Sequence, residues 1–169
     1  MQRRTLLKLG AVSAAVLVVA GGATALLQPG LKHGKLTATA RDVFSSVANA
    51  ILDGMLPSEP TARQKVLHGL LDRVDDLVVQ ALPPHVQAEL SILLSLLCSG
   101  VGRRTLAGLA PDWPDASIKE VQEALQSMRV SRLALRQQIY HAFQDILDVV
   151  YFSDSSNWAM LGYPGPVTI

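Results

Sequence analysis

The chain has little with which to build a disulfide or a metal centre. Of its 169 residues, one is cysteine and four are histidine. A single thiol makes neither an internal disulfide nor a cluster of thiolate ligands. The cysteine, Cys98, ends the apolar stretch LSILLSLLC, which is typical of a small buried hydrophobe. We therefore predict a core position for Cys98, with a reactive thiol or an intermolecular disulfide as the alternatives.

The chain also lacks the short motifs that assemble catalytic groups. It contains no H-E-x-x-H, no phosphate-binding P-loop, no G-x-G-x-x-G, no G-x-S-x-G and no C-x-x-C-H. His141 and Asp145 are four residues apart and can pair on a helix to orient a base, but a solvated polar pair is the simpler interpretation. Asp72, Asp75 and Asp76 alternate with apolar positions and are expected to face water. We predict no catalytic, cofactor-binding or metal-binding residue in this chain.

Charged residues are scarce and nearly balanced in sign. They make up 17% of the chain, and the formal net charge is +1. Arg3, Arg4 and Lys8 lie in a first segment that has no acidic residue, and the remainder holds 12 basic against 14 acidic residues. Nucleic acid binding requires clustered lysine and arginine that displace phosphate counterions. The composition therefore gives no reason to expect a nucleic acid partner.

The first 25 residues have the three parts of an export signal. A basic start precedes the apolar run Leu9–Ala20, and Ala23 and Ala25 form an A-x-A cleavage site. The start, QRRTLLK, resembles the twin-arginine export signal. The matching residues are Arg3, Arg4, Leu7 and Lys8, whereas Gln2 and Leu6 replace the usual serine and phenylalanine. An uncleaved anchor is the alternative, because Leu9–Leu27 holds 19 uncharged residues, barely enough to span a bilayer.

The predicted export route says something about the cargo. Twin-arginine systems as a class move proteins that have already folded, typically around a cofactor or onto a partner. This chain should therefore carry a cofactor or hold a protein that does. Because it has no recognisable cofactor site, the simplest resolution is that the cofactor belongs to another subunit.

Apolar residues recur at helical spacing from residue 38 onward. Residues 26–37 are predicted to be a linker because they are polar and contain proline and glycine, and residues 38–169 a single domain. No hairpin signal and no β-rich run are apparent. The predicted fold is all-α, an irregular bundle of about five helices after an N-terminal hydrophobic segment. Thr39 with Asp42 marks the start of the first helix and Pro60 the start of the second. Pro83 and Pro84 end the second helix and open an apolar third one, which is predicted to be the central helix and to end at Gly100 and Gly102. The Ser117/Glu120 capping box starts a short helix, and a last helix runs from about Ser131 to Phe152.

The C-terminal stretch YFSDSSNWAMLGYPGP is the most unusual part of the chain. Its prolines lack an N–H group and fix φ, so they exclude a helix or a central strand. Aromatic residues interleaved with prolines suit an extended tail laid on a protein surface, either a partner or the chain's own domain. The predicted partner contacts are Trp158, Tyr163, Pro164 and Pro166, with Tyr151 and Trp113 next.

The two ends of the chain resemble the gluconate 2-dehydrogenase subunit 3 family. Members are the small subunits of membrane-associated bacterial dehydrogenases that act on sugars and sugar alcohols. The resemblance rests on RRTLLK, ILDGMLP, VVYFSD and above all the closing W….LGYPGP, here Trp158 and then Leu161–Pro166. Phe152 stands where a second tyrosine is common in the family.

The resemblance implies a non-catalytic small subunit. In the family, the large partner is a GMC-type flavoprotein that binds FAD, docks on the small subunit and is carried across the inner membrane by the small subunit's leader. A multihaem cytochrome c subunit often accepts the electrons. We therefore expect FAD in the partner, export through the twin-arginine translocase, and a periplasmic, inner-membrane-associated location. A membrane-anchored helical structural or interaction domain without a dehydrogenase partner is the alternative.

Overall fold

Five long helices dominate the computed structural model, which describes residues 28–155 and 157–158. The predicted all-α, irregular bundle is confirmed. The predicted export signal and most of the C-terminal tail lie outside the described residues. The long helices are α1 (Ala38–Ile51), α2 (Pro60–Ala81), α3 (Pro84–Cys98), α4 (Ile118–Arg129) and α5 (Ala134–Phe152). The smaller elements are the strands β1 (Leu31–Lys32) and β2 (Lys35–Leu36), a helical turn (Gly100–Gly102), a π-helix (Arg103–Ala107) and a 3₁₀ turn (Trp113–Asp115).

Helix α1 lies at the centre of the bundle and packs against each of the other four long helices. Its residues Ala40, Val43 and Val47 are fully buried. The ring of Phe44 meets that of Phe143 on α5 edge to face, with centroids 5.2 Å apart. The apolar composition of α3 predicted that α3 would be the central helix, but α1 holds that position because its small side chains allow neighbours to approach from several sides.

Residues 30–36 belong to the domain, although they were predicted to be part of a linker. They form a two-stranded antiparallel hairpin in which Leu31 pairs with Leu36, and both side chains are buried. The turn residues His33 and Gly34 have φ of 53° and 76°. Positive φ at both positions is the type I′ geometry of a two-residue hairpin. The sequence signal was missed because histidine takes the position where asparagine or aspartate is usual.

The hairpin is docked on α3 through the chain just before it. The N–H of Gly30 donates to the Ser91 carbonyl (3.2 Å) and to the Ser95 hydroxyl (3.0 Å). A Cβ at Gly30 would lie 2.3 Å from Cβ of Leu94, so only glycine allows this approach. The N-terminal segment therefore enters the domain along the C-terminal half of α3.

Local signals placed most helix ends correctly. Pro60 opens α2, where the Glu59 carboxylate accepts hydrogen bonds from the N–H groups of Thr61 and Ala62, and these bonds lower the pKa of Glu59. Ser117 and Glu120 form the predicted capping box at the start of α4. The last long helix ends at Phe152 as predicted.

The segment after α3 differs from the prediction. Gly100 and Gly102 do not end the helix; it ends at Cys98, and Ser99 starts a new turn by accepting the N–H of Gly102 at 3.0 Å. In the described part of the chain, no single helix is both long and apolar enough to cross a membrane. Helix α3 and the segment Gly100–Ala107 reach that length and composition only as a pair bent by 79°.

Candidate partner-binding surface

The predicted site residues fall into two groups. Three of them, Trp113, Tyr151 and Trp158, are within the described part of the chain. The others lie outside it and stay predictions. They are the export residues Arg3, Arg4, Leu7 and Lys8, the cleavage residues Ala23 and Ala25, and the tail residues Tyr163, Pro164 and Pro166.

Trp113 is a packing residue of this domain, contrary to the prediction of a partner contact. Its side chain is only 3% exposed, and its indole N–H donates to the Leu97 carbonyl at 2.9 Å. Its own carbonyl accepts the hydroxyl of Ser46 on α1 at 2.6 Å. These two hydrogen bonds fix the tryptophan between α1 and the end of α3.

Tyr151 is likewise buried, with 1% of its surface exposed, and does not face a partner. It follows Leu147 by one turn on the apolar face of α5. Its hydroxyl is 3.4 Å from the Met55 carbonyl in the turn after α1. Burial raises the pKa of Tyr151, and the negative charge of Asp154 raises it further.

Trp158 is the predicted contact residue that the structure leaves partly at the surface. Its indole N–H donates to the Phe152 carbonyl at 2.7 Å, and the Asn157 amide donates to the Tyr151 carbonyl at 2.8 Å. These carbonyls belong to the last turn of α5 and have no partner within the helix. Asp154, which lies between Phe152 and Asn157 in the sequence, forms an ion pair of 3.1 Å with Arg73 on α2. The chain after α5 therefore turns back and holds Trp158 against the helix end.

Two further apolar side chains are exposed beside this helix end. Val149 is 41% exposed and Phe152 is 39% exposed, and they are three residues apart, so they share one face of α5. We call Val149, Phe152 and Trp158 the aromatic surface. Sequence reasoning identified Trp158 but missed the other two, since the apolar stripe of α5 gave no sign of which positions remain uncovered.

Clefts with polar side chains on their walls lie beside α1. Two adjoining clefts of about 230 and about 280 Å³ share Asp42 and Pro114, and the second reaches Cys98. Burial raises the pKa of the Cys98 thiol, which keeps it protonated and weakly nucleophilic at neutral pH. The predicted core position is met only in part, because Cys98 packs against the core but is half-buried.

The other candidates for chemistry are structural or solvated. Asp75 is buried, contrary to expectation. Its carboxylate accepts hydrogen bonds from the Leu36 N–H at 2.7 Å and from the Arg41 guanidinium at 2.6 Å. Within the described residues, His141 and Asp145 make no hydrogen bond or ion pair with each other, and no three His, Cys, Asp or Glu side chains are grouped as a metal site.

No protein-family model, curated protein or solved structure matches the chain. Among the described residues, the aromatic surface is the candidate partner-binding site, because Val149 and Phe152 are exposed there beside Trp158.

Proposed function

We propose that this chain is the non-catalytic small subunit of a dehydrogenase complex. In this proposal it binds a FAD-dependent, GMC-type large subunit, stabilises it and carries it across the inner membrane by the twin-arginine route. The support from sequence is the resemblance of both ends to the gluconate 2-dehydrogenase subunit 3 family, through RRTLLK at the start and Trp158 with Leu161–Pro166 at the end.

The observation that carries the proposal is the aromatic surface at the end of α5. Two large apolar side chains are exposed there, and the next aromatic residue, Trp158, is held beside them by a hydrogen bond. The chain then continues into a segment that contains Tyr163, Pro164 and Pro166. Aromatic anchors of this kind typically contribute about 2 kcal/mol or more each to a protein interface. A fixed anchor followed by a proline-rich tail suits the binding of a large folded partner.

The test is to isolate the chain from the periplasm with a tag after Ile169 and to record visible absorbance and the mass of co-purifying proteins. We expect flavin absorbance and one larger protein, together with sugar or sugar-alcohol dehydrogenase activity. A colourless protein without a partner under mild extraction would favour the free-standing, membrane-anchored domain.

Matched variants test the surface itself. Val149→Ser with Phe152→Ser removes exposed apolar groups that form no cap, so the fold should persist while flavoprotein recovery falls at least tenfold, since each lost anchor weakens binding by more than about 1.4 kcal/mol. Val79→Ser alters a valine on α2 that is 51% exposed and should leave recovery unchanged. Equal recovery from both variants, with both folded by circular dichroism, would exclude this surface as the flavoprotein contact.

A further inference from the structure

Charge is strongly segregated in this domain, although its total is nearly balanced. Residues 100–111 and 124–144 together contain five arginines and no aspartate or glutamate. The other described residues contain all 14 acidic residues and seven basic ones. The two arginine-containing segments are far apart in sequence, so their relation is visible only in the fold.

Arg136 joins the two segments at one end of the domain. Its Nε donates to the Leu106 carbonyl in the π-helix at 2.8 Å. One of its terminal nitrogens donates to the Ser127 hydroxyl near the end of α4 at 3.0 Å. The π-helix, the end of α4 and the start of α5 therefore meet there. The basic end is defined by its exposed residues Arg104, Arg129, Val130, Arg132 and Leu133.

The basic end combines uncompensated positive charge with exposed apolar groups. Val130 and Leu133 are each 64% exposed on the turn between α4 and α5, and arginines 129 and 132 directly precede them. Within the described residues, no ion pair involves Arg104, Arg129 or Arg132. Exposed apolar side chains interleaved with arginines on one turn fit a surface that is anionic outside and apolar beneath.

We propose that the basic end binds the surface of an anionic phospholipid membrane. Phosphate headgroups pair with the arginines, while Val130 and Leu133 enter the boundary between headgroups and acyl chains. The acidic remainder of the domain is repelled by the same membrane, so one orientation is favoured. An acidic protein would also match the charge, and the second test below distinguishes it from a membrane.

The path of the chain before the domain is consistent with a membrane at the basic end. The 27 residues before the described part include the uncharged run Leu9–Leu27, which is predicted to bring the chain to a membrane during export or as an anchor. The chain then enters the domain at Gly30, on the C-terminal half of α3. That same helix leads directly into the segment that carries Arg104. This inference does not depend on the dehydrogenase partner.

The first test locates the basic end relative to lipid. Full-length Val130→Trp protein is mixed with vesicles of phosphatidylcholine, with or without phosphatidylglycerol, made with lipids brominated on the acyl chains. We expect quenching of the tryptophan added at 130 only with phosphatidylglycerol present. Val79→Trp, at an exposed valine of α2, should show no added quenching in either vesicle. Equal quenching of the two variants, or none at 130, would overturn the proposal.

The second test removes the charge. Arg104→Gln, Arg129→Gln and Arg132→Gln together should weaken binding to phosphatidylglycerol vesicles about 100-fold, because each arginine contributes about fivefold. Lys32→Gln, Lys35→Gln and Lys65→Gln change the net charge equally and should have little effect. All variants contain the same leader, so the leader's contribution to vesicle binding cancels when the affinities of the variants are compared as a ratio. Unchanged vesicle binding by the arginine variant, with binding to polyglutamate lost, would assign this end to an acidic protein and overturn the membrane proposal.

Discussion

At the scale of single residues, one buried carboxylate connects three parts of the domain. Asp75 on α2 accepts the N–H of Leu36 in β2 and the guanidinium of Arg41 on α1. Arg41 also reaches the exposed Asp72 at 2.5 Å. A buried charge is tolerated only when it is paired and hydrogen-bonded, and these two donors supply both conditions.

We expect Asp75→Ala to lower the free energy of unfolding by about 2–3 kcal/mol, because it leaves the Leu36 N–H buried without an acceptor and removes a charge partner of Arg41. Asp76→Ala is the matched control. This neighbour is exposed, and its loss should change stability by less than about 0.5 kcal/mol. Urea unfolding followed by circular dichroism measures both. Similar values for the two variants would show that Asp75 does not link the hairpin to the helices.

Single residues also explain the errors of sequence reasoning about the site. Trp113 and Tyr151 were predicted as partner contacts because aromatic residues near prolines or near a helix end suit exposed recognition. Burial is decided by contacts with residues distant in sequence, and here Leu97, Ser46 and Met55 supply them. The position of Tyr151 one turn after Leu147 was a local sign of burial that outweighs its place near the helix end.

At the scale of elements, the sharp bend after α3 depends on one glycine. Ser99 caps the new turn, and the chain folds back so closely that a Cβ at Gly102 would lie 2.0 Å from the Leu96 carbonyl oxygen. A Cβ at Gly100 would meet nothing within 4 Å. The two glycines were expected to act alike as helix terminators, whereas one permits the bend and the other is free of contact.

We therefore expect opposite results from two substitutions in the same turn. Gly102→Ala should destabilise the domain by about 1–3 kcal/mol, because backbone atoms rather than flexible side chains must move. Gly100→Ala should be neutral or stabilise by up to about 1 kcal/mol, since alanine restricts the unfolded chain and finds open space here. Thermal and urea unfolding of both variants decide the matter. Equal effects would mean that the close approach at Gly102 does not control the bend.

The elements that sequence predicted are those with local signals. Pro60 at the start of α2 and the Ser117/Glu120 capping box act within a few residues, so they were found. The hairpin at 31–36 and the π-helix at 103–107 were missed. Both are stabilised by distant partners, Ser91 and Ser95 for the approach to the hairpin and Arg136 for the π-helix. Contacts of this range have no signature in a single sequence.

At the scale of the whole molecule, α5 separates two surfaces of different chemistry. The basic end precedes its first residue, Ala134, and the aromatic surface lies at its last turn. A helix of 19 residues is about 28 Å long. A membrane bound at one end and a flavoprotein bound at the other would therefore not compete for the same face. Overall composition concealed this arrangement because it averages the arginines with the carboxylates.

The proposed carrier role makes the export signal of this chain responsible for two proteins. Arg3→Lys with Arg4→Lys keeps the charge but removes the arginine pair that defines the signal, so both this chain and the flavoprotein should remain in the cytoplasm. Thr5→Ala changes the free position of the motif and should leave export intact. Cell fractionation with immunodetection of both chains, together with dehydrogenase activity in each fraction, measures the outcome. Periplasmic flavoprotein in the lysine variant would show that it travels without this chain, and the carrier role would fall even if the two proteins bind each other.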